Sequence, residues 1–78
     1  MDKVTQLFYD RDTDVLYLSI GEPQRAISRE IGDDILLRID PQTNNLVGLT
    51  IMNLSSRFGE SDTRQTLPVA IDLHELPA

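Results

Sequence analysis

The chain contains no cysteine and no tryptophan, and it has one histidine, two tyrosines and two phenylalanines. Without cysteine it cannot build a disulfide framework, a catalytic thiol or a thiolate zinc site. A single histidine, His74, rules out metal motifs that need two histidines. Four aromatic rings are too few for a platform on which nucleic-acid bases stack. No cofactor is therefore expected.

Positive charge is also scarce, with seven basic residues against thirteen acidic ones and a net charge of -6. Such a chain repels phosphate backbones and anionic lipids, so neither nucleic acid nor membrane is an expected partner. No apolar run approaches the length of a transmembrane helix, and we expect a cytoplasmic protein. The 78 residues suffice for one small domain, 1–78.

Alternation of apolar and polar residues, which is typical of half-buried strands, dominates the sequence. It predicts a mainly β fold: a small antiparallel meander of five strands plus a C-terminal edge strand. The predicted strands cover residues 4–9, 15–20, 25–31, 35–40, 46–54 and 67–73.

The register of the middle strands can be derived by keeping their apolar faces together. A three-residue turn at 32–34 sets Ile31 opposite Ile35 and Ile27 opposite Ile39. The next hairpin then sets Ile39 opposite Val47. The predicted core consists of Ile27, Ile31, Ile35, Leu37, Ile39, Val47, Leu49 and Ile51. Both faces of residues 15–20 are apolar, so the register of the first hairpin stays open.

The C-terminal part of the chain, 58–78, contains a loop and then the sixth predicted strand. Residues 55–65 are polar and contain Gly59, which indicates a loop or a short helical turn. Pro68 places the following strand at an edge, because proline cannot donate to a ladder; a helix is the alternative for this segment. The strand closes the sheet or crosses to a second chain. Small size, an apolar sheet and a detached strand favour a homodimer.

Asp10, Asp12 and Asp14 have the spacing that opens a calcium-binding loop. The pattern then fails, since Val15 stands where glycine is needed and Gly21 where glutamate is needed. We favour a hairpin loop whose aspartates cap local backbone groups. These three residues stay weak candidates for a metal site, and no metal is assigned.

One face of the predicted sheet brings polar side chains together. As an acid–base site, it would use Glu30 or Asp40 as the base and Arg38 to hold an anion. The alternative, which we favour, is a solvated face with cross-strand ion pairs. No catalytic residue is assigned. Arg38, Thr50 and Phe58 are the candidates for binding, Phe58 because it lies outside the predicted strands.

Three blocks of sequence resemble the bacterial "domain of unknown function 2283" family. Residues 9–18, YDRDTDVLYL, are similar to its opening Tyr-Asp, short gap and Asp-x-Leu-Tyr-Ile. EIGDDI at 30–35 and VGLTIM at 47–52 lie where the family has its Glu-Ile and Val-Gly-Ile blocks. The resemblance covers 9–57.

This resemblance implies a small antiparallel β domain and no established activity. It implies a glycine at the position of Asp34 and acids at the positions of Arg38 and Thr50, so an acidic cluster of the family is missing here. We expect a non-catalytic protein–protein interaction module that acts as a homodimer, with a small protein partner as a further expectation. The alternative is a small acid–base hydrolase or ligand-binding protein that uses Glu30, Arg38 and Asp40.

Overall fold

Five strands and one short helix make up the computed structural model, which describes residues 3–59 and 63–77. The elements are β1 (Thr5–Asp10), β2 (Val15–Ile20), β3 (Ile27–Gly32), β4 (Ile35–Ile39), β5 (Leu46–Met52) and α1 (Leu54–Phe58). The five predicted strands and the helical turn after them are confirmed. The helix has five residues, and no helix in the described ranges is long and apolar enough to cross a membrane.

All strands pair antiparallel in one open sheet of order β1-β2-β5-β4-β3. The prediction of a simple meander is wrong in one respect, because β2 pairs with β5 rather than with β3. The six-residue link 21–26 therefore passes three strand spacings, roughly 14 Å at about 4.8 Å each. Six extended residues reach roughly 20 Å, so the link is long enough to span this distance. β1 and β3 are left as the two edges.

The registers confirm most of the predicted pairing in β3, β4 and β5. Leu37 lies opposite Leu49, Ile35 opposite Ile51, and Ile27 opposite Ile39. Two irregularities change the rest. Ile39 pairs with Leu46 instead of Val47, and Gly32 rather than Ile31 pairs with Ile35. Each shift adds an unpaired residue to one strand, which is the effect of a β-bulge.

The core lies on one side of the sheet, which we call the covered face. Ile35, Leu37, Leu49 and Ile51 are buried there. Ile31 and Ile39 pack against this cluster, as do Leu16 and Leu18 of β2. Ile27 was predicted to belong to the core, and this is wrong: its side chain is 57% exposed. Ile27 begins an edge strand, where neighbours stand on one side only.

The C-terminal segment covers this face instead of extending the sheet. Residues 63–77 contain no strand, so the predicted sixth strand is wrong. Leu67 and Val69 pack against the buried cluster, as does Leu54 of α1. Pro68 between them lacks the N–H that a ladder requires, whereas packing across the face requires only apolar side chains. The alternation of residues 67–73 therefore does not indicate strand pairing: Leu67 and Val69 are half-buried on this face, whereas Ile71 is 57% exposed and Leu73 is 88% exposed.

Candidate binding surfaces

The opposite side of the sheet, which we call the open face, carries large side chains in a continuous cross-strand row. The row consists of Phe8, Tyr17, Thr50, Leu36 and Glu30, each paired with the next. The rings of Phe8 and Tyr17 are stacked, with their centroids 6.0 Å apart and their planes 22° apart. Phe8 is 62% exposed, while Thr50 in the middle of the sheet is 7% exposed. The aromatic end of the row is thus accessible and its centre is not.

Arg38, one of the predicted binding residues, lies beside this row and contacts the link 21–26 that connects β2 to β3. It pairs with Ser28 on one side and with Gly48 on the other. Its Nη2 atom donates a hydrogen bond to the carbonyl oxygen of Gln24, at 3.2 Å, in the link 21–26. A Cβ atom at Gly48 would lie 3.6 Å from both Cβ and Cδ of Arg38. These are ordinary van der Waals distances, so the arginine stem packs beside the glycine without requiring it.

The structure does not bring Asp40 together with Glu30 and Arg38. Asp40 follows β4 in a turn, where its carboxylate accepts a hydrogen bond from the backbone N–H of Gln42 at 2.9 Å. Glu30 is exposed and pairs with Leu36, one diagonal step from Arg38. Across the described residues, no salt bridge joins Glu30 to Arg38. The polar side chains of this face therefore do not converge on one point.

The aspartates of the β1–β2 turn bind protein groups. The carboxylate of Asp10 accepts a hydrogen bond from the backbone N–H of Asp12 at 3.1 Å. Asp14 adopts a left-handed conformation, with φ 59°, and its carboxylate accepts the hydroxyl of Tyr9 at 2.5 Å. Within residues 3–59 and 63–77, no group of three or more histidine, cysteine, aspartate or glutamate side chains is placed to hold a metal ion.

Asp14 also reaches across the fold to the start of α1. Both of its carboxylate oxygens accept the backbone N–H of Ser55 at 3.2 Å, and one accepts the Ser55 hydroxyl at 2.7 Å. Its carbonyl oxygen accepts the N–H of Leu54 at 3.1 Å. Asn53, the residue before the helix, makes no side-chain capping bond. A carboxylate from a distant turn thus satisfies a helix N–H that local caps usually satisfy.

These hydrogen bonds shift two pKa values in opposite directions. The Tyr9 hydroxyl and then the Ser55 groups stabilise the charged carboxylate, so the pKa of Asp14 lies below its ordinary value of 3.8. The bond to Asp14 raises the pKa of Tyr9 above 10.0, because the phenol must keep its proton in order to donate it. The Asp14–Ser55 contact was missed from sequence, since its partners are 41 residues apart.

Phe58, the third predicted binding residue, lies on the covered side and is 41% exposed. It lines a small cavity of about 230 Å³ together with Ile51, Leu54 and Leu67. A larger apolar cavity, of about 720 Å³, lies between the covered face and the C-terminal segment. Its lining includes Leu18 of the sheet and Val69 of that segment. Both cavities belong to the side that the chain itself covers.

Comparison with protein families gives a match over residues 6–55 to the family described as "Protein of unknown function (DUF2283)". The chain belongs to this family. The matched region extends from β1 to the start of α1, so it contains the whole sheet except Thr5. It ends before the C-terminal segment, and the DUF2283 region therefore corresponds to the sheet without most of its cover. No curated protein and no solved structure matches the chain.

Proposed function

We propose that the protein is a non-catalytic protein–protein interaction module that acts as a homodimer. The observation that carries the proposal is the difference between the two sides of the sheet. The chain packs its helix and C-terminal segment on the covered face, whereas Phe8 is 62% exposed at the end of the row on the open face. Aromatic side chains are enriched at protein interfaces and are otherwise seldom left in water.

The exposed apolar side chains at this end of the sheet support association. In β1, Leu7 is 67% exposed and Tyr9 is 40% exposed, and Val4, just before β1, is 56% exposed. Phe8 lies on one face of β1 and Leu7 and Tyr9 on the other, so this edge of the sheet exposes apolar side chains on both faces, which is typical of an interaction site. The domain is also small, so burial of these side chains against a second chain adds apolar contact that its own core does not supply.

The polar residues of the open face support a binding role rather than a catalytic one. Acid–base chemistry needs a base and an anion holder within reach of one substrate. Arg38 donates to Gln24 of its own chain, and Asp40 accepts from the turn that it begins. Both side chains therefore hydrogen-bond to backbone groups of their own chain and stabilise its fold.

As part of the same proposal, we place the module in the bacterial cytoplasm. Its lack of cysteine is in keeping with a reducing compartment, since small exported domains are commonly held together by disulfides.

Analytical ultracentrifugation over a wide range of protein concentration tests the proposal. We expect a reversible equilibrium between one and two chains, weakened by Phe8→Ala. The matched control is Phe58→Ala, which truncates the same residue type on the covered side and should leave the equilibrium unchanged. A single-chain species at every concentration would overturn the proposal, as would equal effects of the two substitutions.

A further inference from the structure

We propose that two copies of the chain join through β1, edge to edge and antiparallel, so that their sheets become one continuous sheet of ten strands. This inference rests on the proposed homodimer and specifies its interface. It starts from the fact that β1 and β3 are the two edges of the sheet. An edge strand presents unpaired backbone N–H and C=O groups, which a further strand can pair with.

The β3 edge has the features by which proteins prevent such pairing. Arg29 and Glu30 place charges in the middle of the strand. A register shift between Glu30 and Gly32 interrupts its ladder with β4. Charges and bulges both disfavour the addition of another strand.

The β1 edge has neither charges in the middle of the strand nor a bulge. Its sequence, TQLFYD, contains no lysine, arginine or proline, and its only charge, Asp10, is the last residue. Its register with β2 runs without a shift over all six residues. Leu7 on one face and Phe8 on the other are 67% and 62% exposed. A regular edge with exposed apolar side chains and its single charge at the end of the strand is suited to strand pairing.

Charge favours this edge for a second copy in particular. Two chains of net charge -6 repel one another, so a self-interface is least costly where charge is lowest. Residues 4–9 contain no charged side chain. At this edge two identical acidic chains can approach while most of their charges stay apart and screened by salt.

Twofold symmetry then limits the register. In antiparallel pairing, opposite residues share a face, so a symmetric pair must set one residue opposite its own copy. If Phe8 lies opposite Phe8 of the second copy, Leu7 lies opposite Tyr9 of that copy and Gln6 lies opposite Asp10. This register joins apolar side chains on both faces and gives the Asp10 carboxylate an amide donor. Centring on Leu7 would set Asp10 opposite Val4, which offers no such donor.

The first test compares matched charges at the two edges. Leu7→Lys and Ile27→Lys each replace an exposed apolar residue in an edge strand, 67% and 57% exposed respectively. Both substitutions change the net charge equally. In sedimentation measurements we expect Leu7→Lys to shift the chain to the monomer and Ile27→Lys to stay dimeric. If Ile27→Lys dissociates the dimer and Leu7→Lys does not, the β1 interface is wrong while the homodimer stands.

The second test uses the absence of cysteine, which makes any introduced thiol the one site for a disulfide. Opposite residues of an antiparallel pair have Cα atoms about 4.5–5.5 Å apart, within disulfide range. We expect Phe8→Cys to give a covalent dimer on mild oxidation. Ile27→Cys, at the other edge, should cross-link no faster than random collision allows.

Leu7→Cys tests the register within the same experiment. With Phe8 at the centre, the two copies of residue 7 lie diagonally, about 7–8 Å apart or more, and should cross-link much more slowly than Phe8→Cys. Equal rates for Phe8→Cys and Ile27→Cys would overturn the proposal. A wild-type chain that is monomeric at every concentration would overturn the homodimer itself, so the two failures are distinguishable.

Discussion

The carboxylate of Asp14 in the β1–β2 turn accepts hydrogen bonds from the backbone N–H and the hydroxyl of Ser55, at the start of α1. The contact joins residues 41 positions apart in sequence. It fixes the short helix against the first hairpin. Since α1 places Leu54 on the buried cluster, the contact also positions part of the cover.

The first prediction concerns the stability of the fold at acidic pH. The pKa of Asp14 in the folded protein lies below 3.8, mainly because Tyr9 and Ser55 donate to its charged form. The native state therefore binds fewer protons than the unfolded chain in this range. The stabilisation is fully present above the unfolded value and is lost as the pH falls through the folded value.

Thermal unfolding measured from neutral pH down to about pH 2–3 checks this linkage. We expect Asp14→Asn to melt at a lower temperature than wild type at neutral pH and to approach wild type in acid. Asp12→Asn, in the same turn, is the control. The plot of its melting temperature against pH should be parallel to that of wild type. Parallel curves for Asp14→Asn and wild type would contradict the prediction.

The second prediction isolates the Tyr9 hydroxyl. Tyr9→Phe removes the largest cause of the low pKa of Asp14 and leaves the bonds from Ser55. In an NMR titration of the side-chain carboxyl, we expect the pKa of Asp14 to rise towards 3.8 without reaching it. Tyr17→Phe, whose ring stacks on Phe8, is the control. An unchanged pKa in Tyr9→Phe would show that Ser55 alone sets it.

The third prediction concerns the central glycine of the sheet. A Cβ atom at Gly48 would lie 2.7 Å from the carbonyl oxygen of Leu18, a backbone atom that cannot turn away. We expect Gly48→Ala to lower the free energy of unfolding by about 1–3 kcal/mol, which is typical of overpacking. Chemical denaturation measures the change.

Gly32→Ala is the control for this substitution, because the added Cβ would meet Ile35 Cδ1 at 3.7 Å and Pro68 Cγ at 3.9 Å, which are ordinary contacts. We expect a change within about 0.5 kcal/mol, as at tolerant surface positions. If both substitutions lower the free energy of unfolding equally, the loss is a general effect of replacing a strand glycine. The close approach at Gly48 is then not its cause.

The fourth prediction separates two isoleucines that the alternation pattern treats alike. Ile35 is 2% exposed, whereas Ile27 is 57% exposed. Ile35→Ala should cost about 2–5 kcal/mol because it leaves a cavity in the core. Ile27→Ala should cost a small fraction of that, since it leaves none. Denaturant unfolding of both variants measures this difference, and similar losses would argue that Ile27 is buried in solution.

The sequence was sufficient for the five strands of the sheet and for much of their pairing, although the sixth strand that it predicted over 67–73 is absent. Strand positions follow from a local period of two, and the pairs Leu37–Leu49 and Ile35–Ile51 follow from keeping apolar faces together. The left-handed conformation of Asp34, with φ 61°, agrees with the glycine that the family resemblance implied there. Each of these features depends on residues close in the chain or on one hairpin at a time.

The binding site was harder to predict, because residues that lie on the same face of a sheet need not be exposed or close to one another. Arg38 and Thr50 do lie on one face, as predicted, but Arg38 binds Gln24 and Thr50 is buried. Asp40 leaves the face because β4 ends at Ile39 and the chain turns. Phe8 gave no sequence signal of exposure, since an edge strand and a core strand have the same alternation.

The sequence by itself therefore determined the β class, the positions of the five strands of the sheet, most of the middle register and the acidic, cysteine-free composition, because each is a local or compositional property. Only the tertiary structure decided that β2 pairs with β5, which made β3 rather than β5 the second edge, and that Phe8 of β1 is exposed. It also decided that the C-terminal segment packs across the sheet and that Asp14 reaches Ser55. These are contacts between distant parts of the chain, where the free energy of packing chooses among arrangements that local patterns allow equally.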